Sequence, residues 1–192
     1  PTQQAAYLKS YGPAPKKGIG VHLMPTMGTK GDDLRPWLDR VRAMGMDMVT
    51  TLNDDPDSMR VFAEYGLFVV CRPFARCTDD WGDRGKAAEY MRNAGLVPFI
   101  QAYNEPSDDR EWNGGQPNYE AWKWRWIDAA NKIINYGGFP GVQVLSPEEL
   151  NILIDAIEET GQQHIYDKWW MSYHGYADNH PPIWPWDGKT RI

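Results

Sequence analysis

The chain has 192 residues, enough for one domain with a sizeable hydrophobic core, and a formal net charge of −6. This acidic balance, without a basic stripe and interleaved aromatic residues, excludes a typical nucleic-acid-binding surface. No apolar run approaches the roughly 18 residues needed to cross a bilayer, so we expect no membrane partner.

A repeated pattern of helix, glycine and apolar run predicts the secondary structure in chain order. The stretch EYGLFVVCRPF at 64–74 is typical: a helix-like segment ends in glycine and a β-rich run follows at once. Glycine just after a helix adopts the left-handed backbone conformation that other residues resist, so it ends the helix. The pattern predicts strands at 19–24, 47–53, 67–73, 97–103, 141–145 and 169–174, and helices at 32–44, 57–65, 84–94, 118–136 and 147–161.

Helix starts are marked by capping residues. The apolar residues of segment 32–44 fall on one stripe at helical spacing. Asp55 followed by Pro56 resembles an N-cap with proline at the first helical position. The sequence Ser-Pro-Glu-Glu at 146–149 reads as a capping box, so we give Glu148 and Glu149 structural rather than catalytic roles.

The order of these elements predicts the fold class. The strands are continuously apolar, which is typical of a parallel sheet covered on both faces, and strict β–α alternation implies right-handed crossovers. A dinucleotide-binding sheet would usually carry a glycine-rich turn after its first strand, but LMPTMG at 23–28 contains neither GxGxxG nor a P-loop. Polar residues instead follow several strands, and barrels build their active sites at those ends. We therefore predict a single α/β domain over 1–192, a parallel (β/α) TIM-type barrel.

The predicted barrel is incomplete. Six strands and five helices fall short of the eight βα units of a full barrel, which need about 250 residues. The chain also begins at Pro1, without an initiator methionine. We expect a domain that is truncated or processed on its C-terminal side, or one completed by another chain or a missing segment.

The stretch FIQAYNEPS at 99–107 carries the main chemical signal. An apolar strand ends abruptly in Asn104, Glu105 and Pro106. A carboxyl group at the rim of a barrel can donate a proton when desolvation and a neighbouring negative charge raise its pKa, and an adjacent amide can bind a sugar hydroxyl. The alternative interpretation is a purely polar exit from the strand into a loop, with Pro106 fixing the turn.

The YNEP motif on the fourth strand resembles the clan of retaining glycoside hydrolases with (β/α)8 barrels, glycoside hydrolase clan A. The resemblance implies that Glu105 is the general acid/base and that Asn104 binds the sugar 2-hydroxyl. Arg72 in VVCRPF resembles an arginine that the clan often carries near the end of strand three. His174 and Tyr176 in WMSYHGY resemble its aromatic or His-x-Tyr element on strand six. The similar order of elements extends over about 18–176.

The resemblance implies hydrolysis of a β-linked oligo- or polysaccharide by general acid/base catalysis. Glu105 would be catalytic, and the residues expected to bind substrate are Asn104, Arg72, His174, Tyr176, Tyr103, His22 and Trp170. The clan's nucleophile is a glutamate at the end of strand seven, and nothing in this chain maps onto it, although retaining hydrolysis needs two carboxyl groups about 5–5.5 Å apart. Asp54, Glu111 and Asp178 are available, but no pattern nominates them. The alternative function is a non-catalytic carbohydrate-binding or assembly domain with a hydrolase-like barrel.

The ten tryptophans divide into two predicted groups. Flat indole faces stack on the apolar C–H faces of sugar rings, and we expect this role for tryptophans in or beside loops at the carboxyl side of strands: Trp81, Trp112, Trp170, Trp184 and Trp186. Trp122 and Trp126, four residues apart on one helix, are expected to pack against the barrel wall. Trp124 is undecided.

The sequence gives weaker signals for a role of histidine or of a metal ion. His22 lies inside the first strand and is either a satisfied core histidine or a substrate contact. His174, Asp178 and His180 match no tetrahedral ligand spacing, and the first strand lacks the His-x-His of metal-dependent barrel hydrolases, so we expect no metal and no other cofactor.

The two cysteines leave two questions open. Cys71 and Cys77 could be bridged or free, and Cys71 has no nominated base that would make it a nucleophile. They do not determine the compartment, for which an extracellular location is favoured.

Overall fold

A computed structural model describes residues 20–23 and 29–173 of the chain. In these ranges every predicted strand and helix is present. The strands are β1 Gly20–Leu23, β2 Met48–Thr51, β3 Phe68–Cys71, β4 Phe99–Gln101, β5 Phe139–Val144 and β6 Trp170–Tyr173. The α-helices are α1 Arg35–Ala43, α2 Pro56–Glu64, α3 Ala87–Asn93, α4 Tyr119–Asn135 and α5 Pro147–Glu159. Short 3-10 turns occupy Gly31–Leu34, Arg84–Lys86, Asp109–Trp112 and Gln163–Asp167.

All six strands form one parallel sheet in the order β1-β2-β3-β4-β5-β6. Each inner strand therefore pairs with the strands before and after it in the chain, and β1 and β6 are the edges of the described sheet. Because βα crossovers are right-handed, an order that advances in one direction places the intervening helices on the same face, whereas a doubly wound sheet reverses direction. The predicted α/β class and parallel sheet are confirmed, and the described residues form an open six-stranded sheet rather than a closed barrel.

The face of the sheet under the helices forms the hydrophobic core. Val49, Val69, Ile100 and Val142 are buried there and belong to one cluster with side chains from all five helices. As predicted, Trp122 and Trp126 of α4 are buried in this cluster. The stripe predicted on 32–44 is narrower than expected, because its buried members are Leu34, Leu38 and Val41 whereas Trp37 and Met44 are exposed.

The opposite face carries an aromatic band, which consists of Phe68, Phe99, Phe139 and Trp170. The ring centroids of Phe99 lie 5.3 Å from Phe68, 5.5 Å from Phe139 and 5.8 Å from Trp170. Gln101 and Gln143 follow on the same face toward the carboxyl ends of β4 and β5; both are buried, and the amide of Gln101 donates to that of Gln143. Both faces of the sheet therefore hold buried side chains, as the continuously apolar strands predict.

The predicted caps form, with one refinement. The Asp55 carboxylate accepts from Ser58 N at 2.9 Å, and Pro56 opens α2. Ser146 Oγ accepts from Glu149 N at 3.3 Å, and the buried Glu149 carboxylate accepts from Leu145 N at 2.6 Å. The side chain of Glu149 is thus used in holding the start of α5, in line with its expected structural role.

The close packing of β5 against β6 at Gly141 can be tested by substitution. Gly141 lies beside Trp170 in the register, and a Cβ atom at position 141 would overlap the indole ring. We expect Gly141→Ala to lower the free energy of unfolding by about 1–3 kcal/mol, since overpacking forces neighbouring groups to move. Denaturant unfolding measures this loss. In a double-mutant cycle Trp170→Ala should relieve much of it, and strictly additive losses would contradict the packing.

Candidate functional site

The candidate site lies at the carboxyl edge of the sheet, where parallel strands end together. Arg72 is the first residue after β3, and its backbone N–H donates to Thr51 O at 2.7 Å, which extends the pairing with β2. Tyr103 and Asn104 follow β4. Neighbouring parallel strands thus bring Arg72 close to Tyr103 and Asn104, although Arg72 and Asn104 lie 32 residues apart in sequence.

A chain of hydrogen bonds joins Arg72, Asn104 and Glu111. Arg72 Nη1 donates to Asn104 Oδ1 at 2.5 Å, and Asn104 Nδ2 donates to Glu111 Oε1 at 2.9 Å. A guanidinium can only donate and a carboxylate can only accept, so the two partners together determine the orientation of the amide. The second N–H of Asn104 Nδ2 is left over from this pair of contacts.

These residues line a small pocket that opens to solvent. Its lining residues are Arg72, Pro73, Phe74, Ala75, Tyr103, Asn104 and Glu111. The pocket combines two aromatic rings, an amide, a cation and an acid.

Tyr103 introduces backbone strain beside the pocket. Its φ is +58°, in the left-handed region, which costs a residue other than glycine on the order of 1 kcal/mol. The buried side chain is held by a hydrogen bond from its hydroxyl to Asp79 O at 3.0 Å and by an edge-on contact with Trp81, with centroids 5.3 Å apart. Strain of this kind clusters at functional sites. Here it ends β4 after Gln101, two residues before the predicted end, and turns the chain into Asn104 and Glu105.

Glu105 is only 4% exposed and directly follows a residue that lines the pocket. Its carbonyl accepts from Asp108 N at 2.9 Å, and the carbonyl of Pro106 accepts from Trp112 Nε1 at 2.8 Å. These bonds hold the turn that the proline was expected to form. The charge of Glu105 acts on Glu111, whose pKa it helps to raise.

Glu111 is the carboxyl group that lines the pocket, and the sequence did not single it out. Burial raises the pKa of Glu111, while the hydrogen bond from Asn104 and the charge of Arg72 oppose that rise. The residue belongs to the 3-10 turn Asp109–Trp112, in a segment that reads as a loop. Its only sequence signal is its position seven residues after Asn104.

Two of the predicted tryptophan platforms are wrong. Trp81 is 0% exposed and Trp112 is 8% exposed, so neither indole face is open to a ligand. Trp170 is the first residue of β6, donates from Nε1 to Phe139 O at 2.8 Å and lies over Gly141. It therefore belongs to the aromatic band on the face opposite the core.

The remaining predicted residues have mixed outcomes. His22 is exposed on β1, an edge strand of the described sheet, which lies two positions along the sheet from β3. His174, Tyr176, Trp184 and Trp186 lie outside the described residues. Asn53, at the end of β2, is buried and donates to Ser58 Oγ and Thr29 O, a structural role.

The cysteines are free and buried. Burial raises the pKa of both the Cys71 and the Cys77 thiol. Their sulfur atoms contact the carbonyl oxygens of Asn53 and Asn104, at 3.4 and 3.5 Å. A buried thiol with a raised pKa is a poor nucleophile, so these groups serve packing.

Across residues 20–23 and 29–173, no three His, Cys, Asp or Glu side chains are grouped so that they could hold a metal ion. Over those ranges no helix combines the length and apolar character needed to span a membrane.

The ionisation of Glu111 should make the free energy of unfolding depend on pH. A carboxyl group whose pKa rises on folding stabilises the fold below its unfolded pKa, near 4.3, and this contribution is lost as the pH rises through the folded pKa. We expect Glu111→Gln to be more stable than the wild type at pH 7, with the difference shrinking toward pH ~4.

Thermal unfolding at several pH values measures this difference. Glu120→Gln is the matched control: Glu120 is exposed, and hydrogen bonds from Lys123 and Trp124 lower its pKa, so its replacement should give no gain. A gain in both variants, or in neither, would contradict the burial of the Glu111 charge.

Sequence comparison with known proteins does not identify the function of this site. The chain matches no model in a scan of protein families, and no curated protein matches its sequence.

Proposed function

We propose that the described sheet is part of a (β/α) barrel of the glycoside hydrolase type. Two features support this proposal: the strand order advances in one direction, and the face opposite the core carries an aromatic band and a buried glutamine pair. In a barrel that second face would be the interior, filled by layers of side chains from successive strands. The remaining strands would come from residues outside the described ranges or from another chain.

We propose that this barrel hydrolyses a β-linked oligo- or polysaccharide. The observation that carries the proposal is the Arg72–Asn104–Glu111 hydrogen-bond chain, beside Glu105 at the carboxyl edge of the strands. Barrel enzymes place their catalytic groups at this edge. The arrangement offers donors, acceptors and a carboxyl group in one pocket, with a second carboxyl group on the adjoining residue, which suits recognition of hydroxyl groups.

Each residue then has a chemical role. Glu105 would protonate the oxygen of the scissile glycosidic bond and later accept a proton from the attacking water. Asn104 would use the second N–H of its amide to bind the sugar 2-hydroxyl, while its first N–H and its oxygen stay bound to Glu111 and Arg72. Arg72 would keep the amide oriented. The nucleophilic carboxylate would be supplied from outside the described residues.

A non-catalytic carbohydrate-binding role is the second candidate. It is favoured by the burial of Glu105, which is only 4% exposed, because a proton donor must reach the substrate oxygen. Under this alternative, Arg72, Asn104 and Glu111 would bind sugar hydroxyls and no turnover would follow.

The test is Glu105→Gln, assayed in the complete protein by hydrolysis of an aryl β-glycoside with a poor leaving group. General acid/base catalysis contributes roughly 10²–10⁴-fold, so we expect kcat/KM for a substrate with a poor leaving group to fall by at least about 100-fold. Removing the carboxyl group should also flatten one limb of the pH profile, a change that loss of packing alone would not cause.

Glu149→Gln is the matched control, because Glu149 is an equally buried glutamate at the start of α5 and lies outside the pocket. Unchanged hydrolysis by Glu105→Gln would disprove the acid/base assignment. Saccharide binding without any turnover in the wild type would establish the non-catalytic alternative.

A further inference from the structure

Phe74 is the aromatic side chain in the candidate pocket that is left open to solvent. Its side chain is 58% exposed, whereas its neighbours Pro73 and Ala75 are buried. Tyr103, the other aromatic residue of the lining, is 2% exposed and packs against Trp81. The ring of Phe74 thus offers apolar surface at the mouth of an otherwise polar pocket.

The backbone of Phe74 is tied down although its ring is exposed. Arg84 Nε donates to Phe74 O at 2.8 Å. The same guanidinium donates from Nη1 to Asp80 O and Trp81 O, each at 2.9 Å. One arginine therefore links the start and the end of the loop after β3. Because the backbone of Phe74 is already fixed, ligand binding would have to order only the side chain.

The polar side of the pocket complements this ring. Arg72 and Asn104 supply N–H donors, and Glu111 supplies a carboxyl acceptor. A pyranose ring has an apolar C–H face and an edge of hydroxyl groups that both donate and accept. An exposed aromatic face next to a row of donors and acceptors suits this division.

The charges of the pocket are balanced. Among its lining residues Arg72 is the cation and Glu111 the anion, and both are bonded to the amide of Asn104. The positive charge of Arg72 also lowers the pKa of Glu111, against the effect of burial. A carboxylated, sulfated or phosphorylated sugar would bring a negative charge without a spare cation to receive it, and Glu111 would repel it.

We infer that the pocket between Phe74 and the Arg72–Asn104–Glu111 chain is a subsite for one neutral pyranose ring, with Phe74 as its stacking surface. This inference rests on the proposed carbohydrate function and deepens it by naming the substrate class and the platform residue.

The experiment compares two probes that differ in a single group: methyl β-D-glucopyranoside and methyl β-D-glucuronide. Their affinities for the complete protein are measured by NMR titration. We expect the neutral glycoside to bind more tightly than the glucuronide. Phe74→Ala should weaken binding of the neutral probe by about tenfold, the order of one aromatic contact, and Phe74→Tyr should retain it.

Trp124→Ala is the matched control. Trp124 is a 40% exposed aromatic residue on α4, its Nε1 donates to Glu120 at 3.0 Å, and it is not part of the pocket. Its replacement should leave the affinity unchanged. Because both side chains are exposed, we expect both alanine variants to fold, which circular dichroism checks.

Three results would overturn the inference. Equal affinity of Phe74→Ala and the wild type for the neutral probe would show that Phe74 is not a stacking surface. Tighter binding of the glucuronide would contradict the preference for neutral sugars. No binding of the neutral probe would show that the pocket is not a sugar subsite. The hydrolysis assay with Glu105→Gln is independent of these outcomes. Loss of the role proposed for Phe74 would not affect the proposed acid/base role of Glu105, and an unchanged rate in Glu105→Gln would not affect the role proposed for Phe74.

Discussion

The structure depends on one constraint: each strand pairs in parallel with the next strand of the chain, always in the same direction. Right-handed crossovers then place the helices on a common face, and all the carboxyl ends meet at one edge. Arg72 and Asn104 lie 32 residues apart, yet this geometry brings the guanidinium and the amide into contact. The polar pocket follows from strand order rather than from any local motif.

The pocket is then shaped by what surrounds the end of β4. Tyr103 holds a left-handed backbone conformation because Asp79 O binds its hydroxyl and Trp81 packs against its ring. Trp112 binds the carbonyl of Pro106 on the far side of Glu105. Trp81 and Trp112, which were expected to stack on a sugar, are therefore buried side chains that stabilise the end of β4 and the turn after it. A buried indole needs a partner for its N–H, and Trp112 finds that partner in the turn it stabilises.

The elements were predictable because their signals are local. Helical spacing, caps such as Asp55 and glycines after helices depend on residues within a few positions, and each produced the expected element. Strand ends were less predictable: β4 is shorter than its apolar run because Tyr103 leaves the extended conformation. The exposure of His22 and the packing of Trp170 over Gly141 also lay beyond local pattern, because both depend on which strands lie alongside.

By itself, the amino-acid sequence determined the α/β class, the order of the strands and the place of Asn104 and Glu105 just after a strand. Hydrophobic periodicity, helix caps and helix-ending glycines depend only on residues close to one another in the chain. Only the tertiary structure decided that Glu111 shares the pocket, that Phe74 is exposed there and that Trp81 is buried. The physical reason is that burial and hydrogen bonding are properties of pairs of segments. A loop glutamate becomes a pocket carboxyl group only when the fold places an amide beside it and removes water from around it.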